Sequence, residues 1–135
     1  MDSATKATDD ALMDVRAERE RQIRKWGSQD HPLPIWVVIN MEEMGEWAKE
    51  ALAGNLPDFR KEGKEVAAVA VAAMESIERQ LAGQEPRTAY TNITDEKARE
   101  LCTLIGLVGD LSKAYLEGNK NLVRSAVLEI TLMIL

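Results

Sequence analysis

A chain of 135 residues is long enough for one compact domain around a single core and too short to suggest two. With 45% hydrophobic and 30% charged residues it is not a disordered chain, and an aromatic content of 4% with few β-branched runs points to helices. A net charge of -6 argues against a nucleic-acid polymer as partner, since such binding needs Lys and Arg against phosphate, so an acidic protein that meets phosphorylated ligands needs bridging cations.

In chain order, Thr8, Asp9 and Asp10 read as the cap and acidic first turn of a helix through Leu12, Val15, Arg19 and Ile23 to about Lys25. The segment from Trp26 to Pro34 holds one Gly and two Pro, which favour turn or extended backbone, and predicts a loop rich in side chains able to touch a ligand. From about Ile35 to Ala53, Trp36, Ile39, Met44, Trp47, Ala48, Ala51 and Leu52 recur at helical spacing before the stop signal Gly54-Asn55. A third helix is expected from about Pro57 to Ala82. Its section Val66 to Met74 is apolar nearly all round, as a central helix should be, and its alanines permit close approach of neighbours. After a polar connector from Gly83 to Ile93, Thr94 with Asp95 and Glu96 caps a fourth helix to about Glu117; Gly118-Asn119 ends it and a fifth occupies the rest.

No run approaches the roughly 18 consecutive apolar residues that span a bilayer, and the N-terminus lacks a basic stretch followed by an apolar one. No membrane partner is therefore expected, and a cytoplasmic protein is. Cys102, single and set among Leu101, Leu104 and Ile105, predicts core filling in a reducing compartment. The apolar run from Ile130 to Leu135 predicts a surface covered by a second subunit, hence a homodimer, or else a chain cut short.

Shifted by 64 residues, the sequence aligns with itself at Gly45/Gly109, Lys49/Lys113, Leu52/Leu116, Gly54/Gly118, Asn55/Asn119, Arg60/Arg124 and Glu65/Glu129. Seven matches in 21 pairs, against about one or two by chance, indicate a duplicated helical hairpin. One hairpin cannot bury its apolar faces alone. The expected fold is therefore an all-α helical bundle of about five helices: two hairpins forming a four-helix core, plus an N-terminal helix, in one domain over residues 1–135. The first copy, over 36–82, carries the acids; the second, over 95–135, is degenerate, with Gly106, Leu107 and Ala126 opposite Glu42, Glu43 and Glu62.

Residues three or four apart share a helix face, so Glu42 and Glu43 each project with Glu46, and Glu62 projects with Glu65. A short antiparallel hairpin brings these pairs together. Converging carboxylates raise the cost of ionising one another unless a cation neutralises them, and all-oxygen donors favour Mg²⁺, with Mn²⁺ able to substitute. Against this stands the ordinary alternative that Glu-rich helix faces are merely solvated. A di-iron bundle would need Glu-x-x-His elements, and the single histidine, His31, lies in the loop. No glycine-rich phosphate loop, Ser-His-Asp set or zinc-spaced Cys/His group is present. Lys49, Arg60, Lys61 and Lys64 flank the acids and could neutralise outer phosphates. Of the tryptophans, Trp36 and Trp47 are expected in the core and Trp26 is the preferred platform for stacking a base, with Gln22, Gln29 and His31 near enough in sequence to read its edge.

Glu42-Glu43-x-x-Glu46 followed by Glu62-x-x-Glu65 resembles the paired acidic signature of the MazG-like all-α nucleoside triphosphate pyrophosphohydrolases. The stretch Glu18-Arg19-x-Arg21-Gln22-x-x-Lys25-Trp26-Gly27-x-Gln29-x-His31-Pro32, taken with Lys61-Glu62 and the run Val66 to Val71, is similar to phage-type dATP/dGTP pyrophosphohydrolase-like proteins; the likeness covers about residues 16–80. Glu65 stands where Asp is usual, and Gly63 where an apolar residue is usual, which predicts a start of the third helix looser by about 1 kcal/mol than with Ala. The resemblance implies that Glu43, Glu46, Glu62 and Glu65 ligate Mg²⁺ and that Glu42 is a further ligand or the base orienting water. It also implies that a nucleoside triphosphate is split to monophosphate and pyrophosphate. Two other outcomes are a nucleotide-sensing or protein-binding module of this fold without turnover, and a purely structural helical adaptor.

Overall fold

The computed structural model describes residues 2–87, 90 and 93–135. The fold is all-α, with five helices: α1 (Ser3–Trp26), α2 (Leu33–Ala53), α3 (Leu56–Leu81), α4 (Asp95–Leu116) and α5 (Lys120–Ile134). Among the described residues there is no strand, only an isolated bridge between Asp30 and Arg87. None of the described helices is long and apolar enough to cross a membrane. The chain divides into two compact units, Met1–Thr91 with α1 to α3 and Asn92–Leu135 with α4 and α5.

Two helix starts depart from the sequence expectation. α1 starts at Ser3, where Asp2 caps it by accepting from the Thr5 N–H at 2.8 Å, and Thr8 lies inside the helix with its hydroxyl donating to the Ala4 carbonyl. With no Gly or Pro between the two candidate caps, each further residue adds a helical hydrogen bond at little cost, so the earlier cap prevails. α2 begins at Leu33, with Pro34 in its first turn, where a missing N–H leaves no bond unmade.

In the first unit α3 packs against both α1 and α2. Its alanines do what small residues allow: Ala68 is fully buried, and Val69 and Ala72 form the core with Trp36, flanked by Ile39 and Ala73. Near the hairpin turn the same α2–α3 interface is completed by Trp47, stacked on Phe59 with centroids 4.8 Å apart and planes 21° from parallel. Trp36 and Trp47 are thus packing residues, as expected. Gly63 has a specific reason to lack a side chain, because a Cβ there would sit 3.0 Å from Trp47 Nε1. The residue that seemed only to loosen α3 is the seat of Trp47. Gly63→Val should therefore destabilise the protein by about 2 kcal/mol through overpacking, read as a lower urea midpoint, while Gly63→Ala, which gains helix propensity, stays near wild type.

α1 runs in the same direction as α3 and is pinned along its length. Asp14 pairs with Arg60, Arg19 makes a two-pronged ion pair with Glu75 at 3.1 and 2.9 Å, and the following loop is held by Asp30, which accepts from Ser76 and Arg79.

In the second unit α4 and α5 pack as a hairpin around Ala98, Ala114 and Ala126. The turns of the two hairpins share their chemistry. Gly54 and Gly118 end α2 and α4 with φ of 71° and 69°, and Asn55 and Asn119 cap the next helices by accepting from Asp58 N–H at 3.0 Å and Leu122 N–H at 3.1 Å. Two glycines with left-handed φ, each followed by a capping Asn, reproduce one turn twice.

Candidate metal centre

The α2–α3 register decides which acids meet. With Trp36 set against Val69 and Ala72, and Trp47 against Phe59, the intervening turn of α2 turns Glu43 toward the first turns of α3. Glu43, Glu62 and Glu65 each present a carboxylate oxygen, and the three atoms lie within 4.8 Å of one another; this is the one such group of three among the described residues. All three side chains are half-buried. The second unit brings Asp110 and Glu129 only to the sides of one groove.

The electrostatics follow from crowding. Loss of water, then the charges of Glu65, Glu62 and Glu42 and a shared hydrogen bond with Glu65, push the Glu43 carboxyl up from 4.5 to about 7. Glu62 is raised as well, first by loss of water and then by its hydrogen bond to Glu65. Without a cation, a proton between carboxylates is what relieves the repulsion. Three hard oxygen donors this close, with room at a half-exposed surface for waters and phosphate oxygens, suit Mg²⁺ or Mn²⁺, which keep several such ligands.

A stability prediction follows with a definite sign. Because folding raises the Glu43 pKa, the stability this group contributes is complete below about pH 4.5 and is lost as pH climbs through about 7. A divalent cation needs the deprotonated form, so the rise in melting temperature on adding Mg²⁺ should be larger at about pH 8 than at about pH 6. A Mg²⁺ effect independent of pH would contradict this.

The remaining residues singled out from sequence are distributed around this group. Glu46 is close enough to raise Glu62, but its own carboxylate bonds Lys49 at 3.3 Å on the exposed side, so three rather than four of the expected ligands converge. Glu42 is exposed and acts on Glu43 through its charge. Arg60 is engaged by Asp14 of α1, Lys61 lies beside Glu62, and Lys64 faces Glu18. Gln22 is buried at 7% exposure and hydrogen-bonds Glu18. His31 is 1% exposed, packed edge-on against Trp36 at 4.8 Å and beside Tyr90 at 5.6 Å. It precedes α2, and the ten-residue rise from Leu33 to Glu43 is roughly 15 Å, so the structure does not bring His31 to the acids. Trp26 is half-exposed at the end of α1, with Lys25 Nζ 4.7 Å from its ring, and borders a cavity of about 370 Å³ with Ser28, Gln29, Asp30, Gln84 and Arg87.

Two residues of α1 went unassigned in the sequence, Arg21 and the buried Glu18 that it pairs with. Their spacing of three, one turn before Trp26, was the available signal; that α1 lies along α3 was not. No family of known proteins, no curated protein and no solved structure matches the chain at a significant level.

Proposed function

We propose that this protein is a Mg²⁺-dependent nucleoside triphosphate pyrophosphohydrolase of the MazG-like type, cleaving (d)NTP to (d)NMP and pyrophosphate. The observation that carries the reading is the convergence of Glu43, Glu62 and Glu65 from two adjoining helices, in an acidic pattern that resembles that superfamily's.

These three carboxylates would hold the cation, with Glu46 a turn away as a further ligand once released from Lys49. When bound, Mg²⁺ or Mn²⁺ polarises the phosphate chain and lowers the pKa of a coordinated water. Glu42, exposed beside Glu43, is suited to accept a proton from the attacking water. Lys49, Lys61, Lys64 and Arg60 surround the acids and would neutralise the departing pyrophosphate, and Trp26, 53% exposed, offers a face on which a base can stack. The exposed apolar positions Leu128 and Leu132, one turn apart on α5, support a homodimer, since contiguous apolar surface is normally covered. A cytoplasmic setting suits a nucleotide substrate.

The test is incubation of the full chain with each (d)NTP and Mg²⁺, resolving every phosphate product. Monophosphate with pyrophosphate is expected. Release of inorganic phosphate with diphosphate overturns the reading, and tight nucleotide binding without turnover favours the binding module instead.

A further inference from the structure

α2 and α3 form between them a cavity of about 410 Å³ whose walls are almost wholly apolar and include Met41, Met44, Val69 and Ala70. Two of its lining residues carry polar atoms, Trp36 and Asn40, four positions apart and so on one face of α2. Trp36 is 5% exposed, and its ring packs with Val69 and Ala72. Its Nε1–H donor and the Asn40 Oδ1 acceptor are both buried, and neither has a hydrogen-bond partner among the described residues. Buried polar atoms are nearly always paired, because folding takes them from water and something must replace it. Here a donor and an acceptor, one turn apart in the same cavity, are both left over.

The cavity also has a fixed place beside the acids. Along α2, Asn40 precedes Glu43 by three residues, and along α3, Val69 follows Glu65 by four, so each shares a helix face with its acid. Both faces belong to the α2–α3 interface, where Trp36 packs with Val69 and, farther along, Glu43 meets Glu62 and Glu65 within 4.8 Å. The carboxylate group is therefore the next layer of that interface, roughly one helical turn, about 5.4 Å along the axes, from Asn40 and Val69. A sugar bridges such a gap between a base and its phosphates.

The polar pair selects the occupant. A nucleobase presents an acceptor beside a donor on its Watson–Crick edge, to match an indole N–H and an amide oxygen, and its flat faces suit apolar walls. Met41 and Met44 are 37% and 36% exposed and unbranched, so admitting a ring moves side chains rather than helices. Trp26 borders a separate cavity, before the start of α2.

We propose that the base of the nucleotide seats in the α2–α3 cavity, hydrogen-bonded by Trp36 Nε1 and Asn40 Oδ1, while its phosphates reach the cation at Glu43, Glu62 and Glu65. This rests on the pyrophosphohydrolase reading above, and it places base recognition at the helix interface rather than at Trp26.

Calorimetry on the full chain in Mg²⁺ tests it, with inorganic pyrophosphate and with dAMP, dGMP, dCMP and dTMP as ligands; all are products, so none is consumed. Asn40→Leu should weaken monophosphate binding about tenfold while pyrophosphate binds as in wild type, and should raise the melting temperature, because an unpaired buried acceptor is removed. Ala70→Leu, which fills the cavity from the α3 side, should weaken monophosphate binding at least as much. Monophosphate affinity unchanged in both folded variants, or wild type that binds pyrophosphate but no monophosphate, overturns this proposal alone. So does a loss of affinity in Trp26→Ala with none in the cavity variants. A shifted monomer–dimer equilibrium in both variants without a change in monophosphate affinity assigns the cavity to a second copy of the chain and overturns it as well. Wild type that binds neither pyrophosphate nor any monophosphate in Mg²⁺ overturns the pyrophosphohydrolase reading and the proposal with it.

Discussion

Glu43→Gln is expected to lower pyrophosphate release from nucleoside triphosphates by about a hundredfold or more while making the metal-free protein more stable at about pH 8. The substitution keeps the shape of the side chain, so α2 and α3 still pack. It removes the carboxylate that feels Glu65, Glu62 and Glu42 together, and with it the anion that folding disfavours above about pH 7. Relief of repulsion stabilises the fold; on the proposed function, loss of a ligand abolishes turnover. A single substitution that raises the melting temperature and removes activity is the signature of a functional acid cluster rather than a solvated helix face. Rates of pyrophosphate release and melting curves with and without Mg²⁺ measure both effects. A variant as active as wild type would remove Glu43 from the site.

Asp30→Ala should destabilise the first unit by about 3 kcal/mol. Asp30 Oδ1 accepts from the Ser76 hydroxyl at 3.0 Å and from Arg79 Nε at 2.8 Å, and its side chain is only 16% exposed. Removing it leaves a charged guanidinium without its anion beside a fully buried serine. The neighbouring bonds, from Arg79 to the Gln29 carbonyl and from Gln80 to the His31 carbonyl, hold the same loop and would weaken with it. The urea midpoint should fall, and amides of residues 27–31 should exchange faster than they do in wild type, by a larger factor than those of α3. Loss of stability without faster exchange in that loop would show that Asp30 acts elsewhere. Lys49→Ala is the contrasting case, since its pair with Glu46 is exposed on both sides and contributes little.

The loop from Gly27 to Pro32 illustrates how far a sequence can be read. Its Gly and Pro content marked it as a break between helices, and its polar residues suggested ligand contact. Asp30 instead turns inward to Arg79 and Ser76, and His31 is buried against Trp36. An Asp or His in a loop looks the same in sequence whether it faces solvent or a helix 46 to 49 residues away. Gly63 is a similar case: composition marks it as a weak helix residue, and only the proximity of Trp47 gives it a purpose.

The features determined by the sequence itself are those whose physics acts over a few residues. These are the five helices, the left-handed glycines at Gly54 and Gly118, the Asn caps that repeat after 64 positions, and the i,i+3 pairing of acids along each helix face. The tertiary structure alone decided that Glu43, Glu62 and Glu65 meet while Glu46 turns to Lys49. Those outcomes depend on the register of α2 and α1 against α3, which is set by the fit of Trp36, Trp47 and Phe59 around small residues and by ion pairs between distant segments. Packing of that kind sums many weak contacts across the chain and leaves no local pattern to read.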